Sequence, residues 1–297
     1  MREGSGTAGA PPAPWGLRAP IWHGGERAVE VWSASTSRTI SRRSVSTVAL
    51  GWPLAVLLIV LVAAAATVTR FAGLGPAWRV VTASARAVAQ LAAVSLVIGI
   101  VLRSLWLTTA FLTVMVAVAA ATSARRVTGS LRPRSWWTGA AILIGLLPAL
   151  GTILVSGVVP IEPIAILPTA GILIGGAMTA TSIAGRRAAE ELTAQRGAYE
   201  AALSLGMSRR EAVSLVGRGA AGLALVPGLD QTRTVGLVTL PGAFVGVLLA
   251  GASPLQAGAV QVLVLVALLL VQVLAVAVTV ELISAGLLPI GTEPLPE

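Results

Sequence analysis

The chain has 297 residues, of which 56% are hydrophobic and 11% are charged, and its mean hydropathy is +0.88. Soluble domains have about 25% charged residues, so this composition excludes an ordinary soluble protein and indicates a protein embedded in a membrane. The net charge of +9 does not indicate nucleic-acid binding, because the arginines lie between apolar runs and aromatic residues make up only 4% of the chain.

The first 46 residues are rich in glycine, proline, serine and arginine and have no helical or strand period, which predicts a disordered N-terminal tail over 1–46. Arg42 and Arg43 precede an apolar run, as in a signal peptide. The run is long enough for a membrane span, however, and we expect it to be retained. A short cytoplasmic tail is predicted over 291–297.

Seven apolar stretches follow, each close to the length of about 20 residues that a helix needs to cross the hydrocarbon of a bilayer. They lack the alternating pattern of a barrel strand, and lipid offers no partner for backbone groups, so we expect helices. The predicted fold class is all-α: a polytopic transmembrane helical bundle over 47–290 with about seven spans. The predicted spans are 48–68, 80–101, 105–121, 136–158, 164–185, 234–252 and 256–284.

Arginine is concentrated on one side of this bundle. Fourteen arginines lie in or beside the connections after the first, third and fifth spans, whereas the other side has Arg103 and the arginines of the tail. The positive-inside rule therefore places the N-terminus outside and the C-terminus in the cytoplasm of a multi-pass inner-membrane protein. Arg42 and Arg43 oppose this arrangement, which a translation start near Val45 or Val48 would resolve.

The connection after the fifth span is long, charged and rich in helix formers. Residues 187–205 favour a helix, and Gly206 suits the left-handed position after its end. Ser208 with Glu211 matches the capping box of a second helix. The sequence thus predicts a helix, a tight bend and a second helix, which form a cytoplasmic coupling elbow over 187–218.

An apolar stripe runs along this elbow at roughly helical spacing and comprises Leu192, Tyr199, Leu203 and Met207. One interpretation is that the stripe packs on the protein's own inner face or on lipid headgroups. The other is that it is a ridge on which a soluble partner docks. The residues alone leave both interpretations open.

Small residues recur at every fourth position in two predicted spans. The series in the fifth span includes Gly171 and Gly175, and the series in the sixth span begins at Gly242. Such ridges let helices pack closely in lipid. The alternative interpretation is that the ridges form a helix contact that moves during transport. Pro168 and Pro241 lie in the same two spans and are expected to bend them, because proline removes a backbone hydrogen bond.

Polar side chains are few in the predicted spans. Gln90 lies in the second span, while Gln261 and Gln272 are eleven residues apart in the seventh and therefore share a face. One interpretation is hydrogen bonding between helices, and the other is a polar lining of a cargo path.

No pair of carboxylates, no Ser/His/Asp set and no HExxH motif is present, which predicts a protein that is not an enzyme and has no cofactor. All 21 basic residues are arginine and cysteine is absent, which excludes a P-loop lysine and thiolate ligands. Soft donors in the spans are limited to Met115 and Met178, so a metal cargo would be bound by oxygen atoms or carried as a complex.

Glu200-Ala201-Ala202, followed after three residues by Gly206, resembles the EAA-x3-G signature of ABC transporter permeases, the segment that docks on the ATP-hydrolysing subunit. Further motifs, in the same order along the chain, resemble those of FetB-type iron-export permeases. Residues 234–242 (TVGLVTLPG) resemble GLVSLPGMM, and 249–254 (LAGASP) with Gln261 resemble LAG-x-x-P and its following glutamine. Earlier, 85–91 (ARAVAQL) resembles R-A-x-x-Q-L, and 167–171 (LPTAG) resembles IPIAG.

The resemblance implies a permease that works as a homodimer with a separate ATP-binding subunit and exports a metal ion such as iron. Two alternatives are an ABC importer permease for a small organic solute and a membrane scaffold without cargo. Residues expected to couple to the ATPase are Tyr199, Glu200, Ala201, Ala202, Leu203, Gly206, Met207 and Glu211. Residues expected on the transport path or at its hinges are Gln90, Pro168, Gly171, Gly175, Met178, Pro241, Gly242 and Gln261.

Overall fold

The computed structural model describes residues 51–289, so the predicted tails over 1–46 and 291–297, with Arg42 and Arg43, lie outside the described residues. The described part is almost entirely helical and contains no strand, which confirms the all-α class. The helices are α1 (Trp52–Phe71), α2 (Trp78–Val101), α3 (Leu105–Thr128), α4 (Trp137–Val155), α5 (Pro163–Ala194), α6 (Arg196–Ser204), α7 (Arg209–Gly222), α8 (Val226–Thr234), α9 (Gly242–Leu249) and α10 (Pro254–Ser284), with 3-10 turns at Pro133–Trp136 and Leu223–Leu225.

Seven helical stretches of the described chain are long and apolar enough to cross a membrane, as the sequence predicted. This is a multi-pass membrane protein. Six of the stretches contain α1 to α5 and α10 and overlap the predicted spans, while the remaining stretch is Arg209–Thr234.

The predicted sixth span over 234–252 is wrong. Apart from Thr234 at the end of α8, only Gly242–Leu249 is helical there, and eight residues cover about 12 Å, well short of the hydrocarbon thickness. Two features interrupt the helix: Gly236 has φ +81°, and Pro241 has no N–H to continue a hydrogen-bond ladder. Hydropathy predicted a continuous span through Gly236 and Pro241, because it measures how apolar the residues are and not their backbone conformation.

The chain divides into two compact units, Met1–Val88 and Ala89–Glu297. In the first unit, α1 begins at Trp52 with a proline in its first turn, where the missing N–H has no intrahelical partner to lose. The first unit also contains the N-terminal half of α2.

The core of the second unit forms around α5 and α10, helices of 32 and 31 residues. They pack on each other, α3 and α4 pack beside them, and α7 packs across both. Alanine is the commonest residue of this core, and together with the buried Gly145 and Gly185 it lets the backbones approach closely. A Cβ at Gly145 of α4 would lie 2.8 Å from the Val271 carbonyl oxygen of α10, and one at Gly185 would lie 2.7 Å from the Val127 side chain of α3.

Candidate functional site

The elbow between α5 and α7 has the predicted helix–bend–helix form. Its first helix is shorter than predicted, because α5 continues to Ala194 and α6 begins after a break at Gln195. The bend has Gly206 at φ +87°. Hydrogen bonds from Gly206 N to Leu203 O (2.9 Å) and from Met207 N to Ala202 O (3.1 Å) complete a Schellman motif. Only glycine adopts this conformation readily.

The second helix of the elbow starts with the predicted capping box. The Ser208 hydroxyl accepts from Glu211 N at 3.3 Å, and the Glu211 carboxylate accepts from Ser208 N at 2.8 Å. Arg196 and Glu200, one turn apart in α6, form an exposed ion pair at 2.8 Å. These local bonds define the bend between α6 and α7.

The apolar stripe packs inward. Leu192, Tyr199 and Ala202 are buried, and Leu203 and Met207 pack against the same core. Burial therefore supports the interpretation in which the stripe covers the protein's own surface. Leu192, Tyr199 and Ala202 anchor the elbow to the bundle, whereas Leu203 and Met207 are only partly buried.

The opposite face of the elbow is open. Glu200, Ala201 and Gly206 are exposed, and Leu205 at the tip of the bend is 85% exposed. Leu205 lies beyond the helical spacing of the stripe, so sequence reasoning missed it. The signal was present nonetheless, because a leucine next to a predicted left-handed glycine lies at the tip of the turn.

Glu281 of α10 is a second residue whose role the sequence did not show. Its carboxylate accepts hydrogen bonds from Arg218 at 2.8 Å and from Arg210 Nε at 3.1 Å. Both arginines belong to α7, so one carboxylate ties the elbow to the last turns of α10. The partners are more than 60 positions apart in the chain, and no local motif indicates them.

The interrupted segment 235–241 lies beside the middle of α10. α8 approaches α10 at Gln272, through Gly228, and α9 lines a cavity together with Val264 of α10. Gln272 and Val264 are eight residues apart, about 12 Å along the helix. Residues 236–240 between α8 and α9 are exposed, and none of them lines the cavity.

A cavity of about 640 Å³ opens between the first turns of α5, the short α9 and the first half of α10. Pro168 and Gly242 both line it, so the structure brings together two residues that the sequence assigned to the path. Its lining is apolar apart from Thr169, whose hydroxyl donates to Ala165 O at 2.9 Å. The cavity exists because Gly242 and Gly246 have no side chains to fill it.

The remaining predicted path residues are spread over the second unit. Gly171 packs near Met115 of α3, where a Cβ would lie 3.5 Å from the methionine methyl group, whereas a Cβ on Gly175 would meet nothing within 4 Å. Met178 packs on the core. Gln90 is exposed on α2, away from the cavity lining.

The sequence predicts that Pro168 and Pro241 bend two long helices. Pro168 lies inside α5, which is continuous, whereas Pro241 precedes the short α9 and lies in no long helix. Gln261 is buried in α10 beside cavity-lining residues, and its amide oxygen has no hydrogen-bond partner in the part of the chain that the structure describes. Within residues 51–289, His, Cys, Asp and Glu form no group of three or more that could hold a metal ion.

Comparison with known proteins gives a family match over most of the chain. The family model described as "Uncharacterised protein family (UPF0014)" matches residues 52–288. The "UPF0014 membrane protein STAR2" of Oryza sativa subsp. japonica is 34% identical over 216 residues, which cover 72% of this chain and 74% of the rice protein. No solved structure matches the chain.

Two further relatives have names that describe a process. The "Probable iron export permease protein FetB" of Escherichia coli (strain K12) is 32% identical over 124 residues, covering 42% of this chain and 48% of that protein. The "Protein ALUMINUM SENSITIVE 3" of Arabidopsis thaliana is 35% identical over 160 residues, covering 54% of this chain and 58% of that protein.

Proposed function

This chain belongs to the Uncharacterised protein family (UPF0014), and from that premise we propose that it is the permease subunit of an ABC transporter. In this proposal it exports a metal cargo with a separate ATP-hydrolysing subunit. The observation that carries the proposal is the elbow, a helix–bend–helix whose apolar stripe anchors it to the bundle while its tip at Leu205 stays open. The relative named as a probable iron export permease supports metal as the cargo.

The proposed arrangement in the membrane follows from the arginines. The connection between α1 and α2, the connection between α3 and α4, and the elbow are the arginine-rich ones, so they face the cytoplasm. The N-terminal end of α1 then faces outward and the C-terminal end of α10 inward. The chain works as a homodimer in the inner membrane, because an ABC transporter pairs two permease units with two ATPase units.

Mechanical coupling runs from the elbow to the broken segment. Closure of the ATPase on ATP would push the tip at Leu205, and the buried Tyr199 would pass the displacement into the bundle. Glu281 joins α7 to α10 through Arg210 and Arg218, so the two helices shift together. The interruption at 235–241 supplies a hinge between α8 and α9, where the path would open.

The test is a charged substitution at the tip. Leu205→Glu places a carboxylate where the ATPase is expected to dock, and Leu205 is exposed enough for the fold to tolerate it. The control is Thr193→Glu, at an exposed threonine in the last turn of α5. We expect Leu205→Glu to reduce co-purification of the ATP-binding subunit by about tenfold or more, and the control to leave it unchanged. Equal retention in both variants would overturn the proposal.

A second candidate is an ABC importer permease for a small organic solute, and the apolar cavity favours it. A volume of about 640 Å³ lies in the range that holds small organic ligands, and its lining suits an apolar molecule better than a bare ion. Stimulation of the reconstituted ATPase by apolar solutes and not by metal salts would select this candidate. If no ATPase is associated with the protein, the remaining alternative, a membrane scaffold without cargo, is favoured.

A further inference from the structure

Six exposed arginines lie at one end of the bundle of the second unit. Two are in the last turn of α3, two are in the connection to α4, and two are in the last third of α5. These six residues, named here the arginine cluster, are Arg125, Arg126, Arg132, Arg134, Arg186 and Arg187. At the opposite end, the connections after α2 and after α4 have one arginine and one carboxylate, Arg103 and Glu162.

Contacts between the helices bring the arginine cluster to one level. A Cβ on Gly185 of α5 would lie 2.7 Å from the Val127 side chain of α3. The connection to α4 folds against the same turn of α3, because the hydroxyl oxygens of Thr128 and Ser135 are 2.8 Å apart. Each arginine of the cluster lies within three residues, along the chain, of one of these contact points. The cluster therefore covers one end of three packed helices.

Few groups of the described chain neutralise this charge. Glu190, one turn along α5, pairs with Arg187 at 3.3 Å. Arg186 donates from Nε to Ser182 O at 3.4 Å, and its terminal nitrogens have no partner within residues 51–289. The other four arginines form no ion pair with a described residue. Like charges repel one another, so an anionic ligand that bound several of them would stabilise this end of the protein.

Two tryptophans indicate where this end lies relative to a bilayer. Trp136 and Trp137 follow Arg134 closely along the chain and are 47% and 41% exposed. Tryptophan is enriched where the hydrocarbon of a membrane meets water, at the level of the lipid headgroups. The cluster is therefore expected at headgroup level.

A groove on α5 has the order of groups that a phospholipid presents. Its volume is about 250 Å³, and it is lined by Ile183, Arg186, Arg187 and Glu190. Ile183 lies one turn closer to the middle of the helix than the two arginines, so an apolar surface lies below the guanidinium groups. An acyl chain lies below the phosphate of a lipid in the same way.

We propose that the arginine cluster binds the phosphate groups of anionic phospholipids in the surrounding bilayer. A planar guanidinium donates paired hydrogen bonds to phosphate oxygens, and basic surfaces between membrane-spanning helices are typical sites for anionic headgroups. The competing explanation is that the arginines only orient the chain during insertion and are then solvated. Charge alone would serve insertion, whereas the groove beside Ile183 and the exposed tryptophans suit a bound lipid.

The experiment uses the purified full chain in nanodiscs of phosphatidylcholine, into which phosphatidylglycerol is titrated. It measures the melting temperature and, by native mass spectrometry, the phosphatidylglycerol that the protein retains. We expect phosphatidylglycerol to be retained and to raise the melting temperature of the parent protein. Arg186→Gln with Arg187→Gln should weaken the apparent affinity by about tenfold or more. Arg186→Lys with Arg187→Lys keeps both charges and should retain most of the rise in melting temperature.

The matched control is Arg70→Gln with Arg79→Gln, which removes two exposed arginines outside the cluster and should bind phosphatidylglycerol like the parent protein. Arg132→Gln with Arg134→Gln tests the cluster away from α5 and should also weaken binding, so the proposal stays testable if the α5 variant does not fold.

Three results would overturn the proposal. The first is that the parent protein retains phosphatidylglycerol no better than phosphatidylcholine. The second is that the control loses as much affinity as the cluster variants. The third is that the cluster variants bind phosphatidylglycerol normally but no longer co-purify with an ATP-binding subunit, which would assign the cluster to a protein contact. The inference does not depend on ATPase docking at Leu205, so its failure and the failure of the proposed function are distinguishable.

Discussion

The Nη2 atom of Arg218 donates a hydrogen bond of 2.8 Å to Oε1 of Glu281 and joins the second helix of the elbow to the end of α10. Arg210, two turns earlier in α7, bonds to the other oxygen of the same carboxylate. One side chain thus holds two points of α7 against one point of α10. These ion pairs link the orientation of the elbow to that of α10.

Replacing Glu281 by Gln should uncouple transport from ATP hydrolysis while barely changing stability. The carboxylate is 40% exposed, and exposed pairs contribute about 0.2–1 kcal/mol each, so the fold should survive. We expect cargo moved per ATP in proteoliposomes to fall about threefold or more, because the neutral amide holds the arginines less firmly. Glu190→Gln is the control, since Glu190 pairs with Arg187 of the same helix and not with α7 or α10 among the described residues. An equal fall in both variants would show that the contact of Glu281 with Arg210 and Arg218 has no specific role in coupling.

Gly206→Val should distort the bend. At φ +87° a β-branched residue is strained by about 1–2 kcal/mol even though its Cβ would meet no atom within 4 Å. We expect normal membrane insertion but lower stimulation of the ATPase in proteoliposomes. Gly219→Val, at an α7 glycine that also meets nothing within 4 Å, is the matched control. If the Gly206→Val variant stimulates the ATPase as strongly as the parent protein does, the bend has no role in coupling.

Substitutions at Tyr199 test whether this side chain anchors the elbow to the bundle or contacts the ATPase. The side chain is fully buried and its hydroxyl has no partner within the described residues, so Tyr199→Phe should be neutral or slightly stabilising. Tyr199→Ala removes a large buried ring and should destabilise the fold by about 3–5 kcal/mol. Chemical denaturation followed by fluorescence measures both. Loss of ATPase binding in a fully stable Tyr199→Phe variant would contradict the anchoring role.

Filling the cavity should block the path. Gly246→Leu adds a side chain that the cavity can hold, because a Cβ at Gly246 meets nothing within 4 Å. We expect transport to fall by about tenfold with little change in melting temperature. Gly258→Leu in α10, where a Cβ also meets nothing and which does not line the cavity, should transport normally. Unimpaired transport by the Gly246 variant would place the path elsewhere.

The sequence predicted the elbow well because its determinants are local. The left-handed Gly206 and the Ser208–Glu211 capping box are each defined within a few residues, and both are present in the structure. The all-α class and six of the seven candidate spans also follow from hydropathy, whereas Arg209–Thr234 does not. Such features need no knowledge of which helices touch.

The features that escaped prediction depend on tertiary contacts. The Arg218–Glu281 bond joins residues 63 positions apart, and the inward direction of the stripe at Tyr199 depends on the core that α5 and α7 build. The missed interruption at 235–241 has a different cause: its residues are apolar, so a hydropathy pattern continues through a stretch that is not helical.

The most direct test of the account uses the absence of native cysteine in the chain. Leu205→Cys introduces a single thiol at the tip of the elbow, and a membrane-impermeant maleimide is applied to right-side-out and inside-out vesicles. The account predicts labelling only in inside-out vesicles, together with a disulfide or cross-link from position 205 to an ATP-binding subunit. Labelling from the outer side would place the elbow beyond the reach of any cytoplasmic ATPase and would contradict the proposed function.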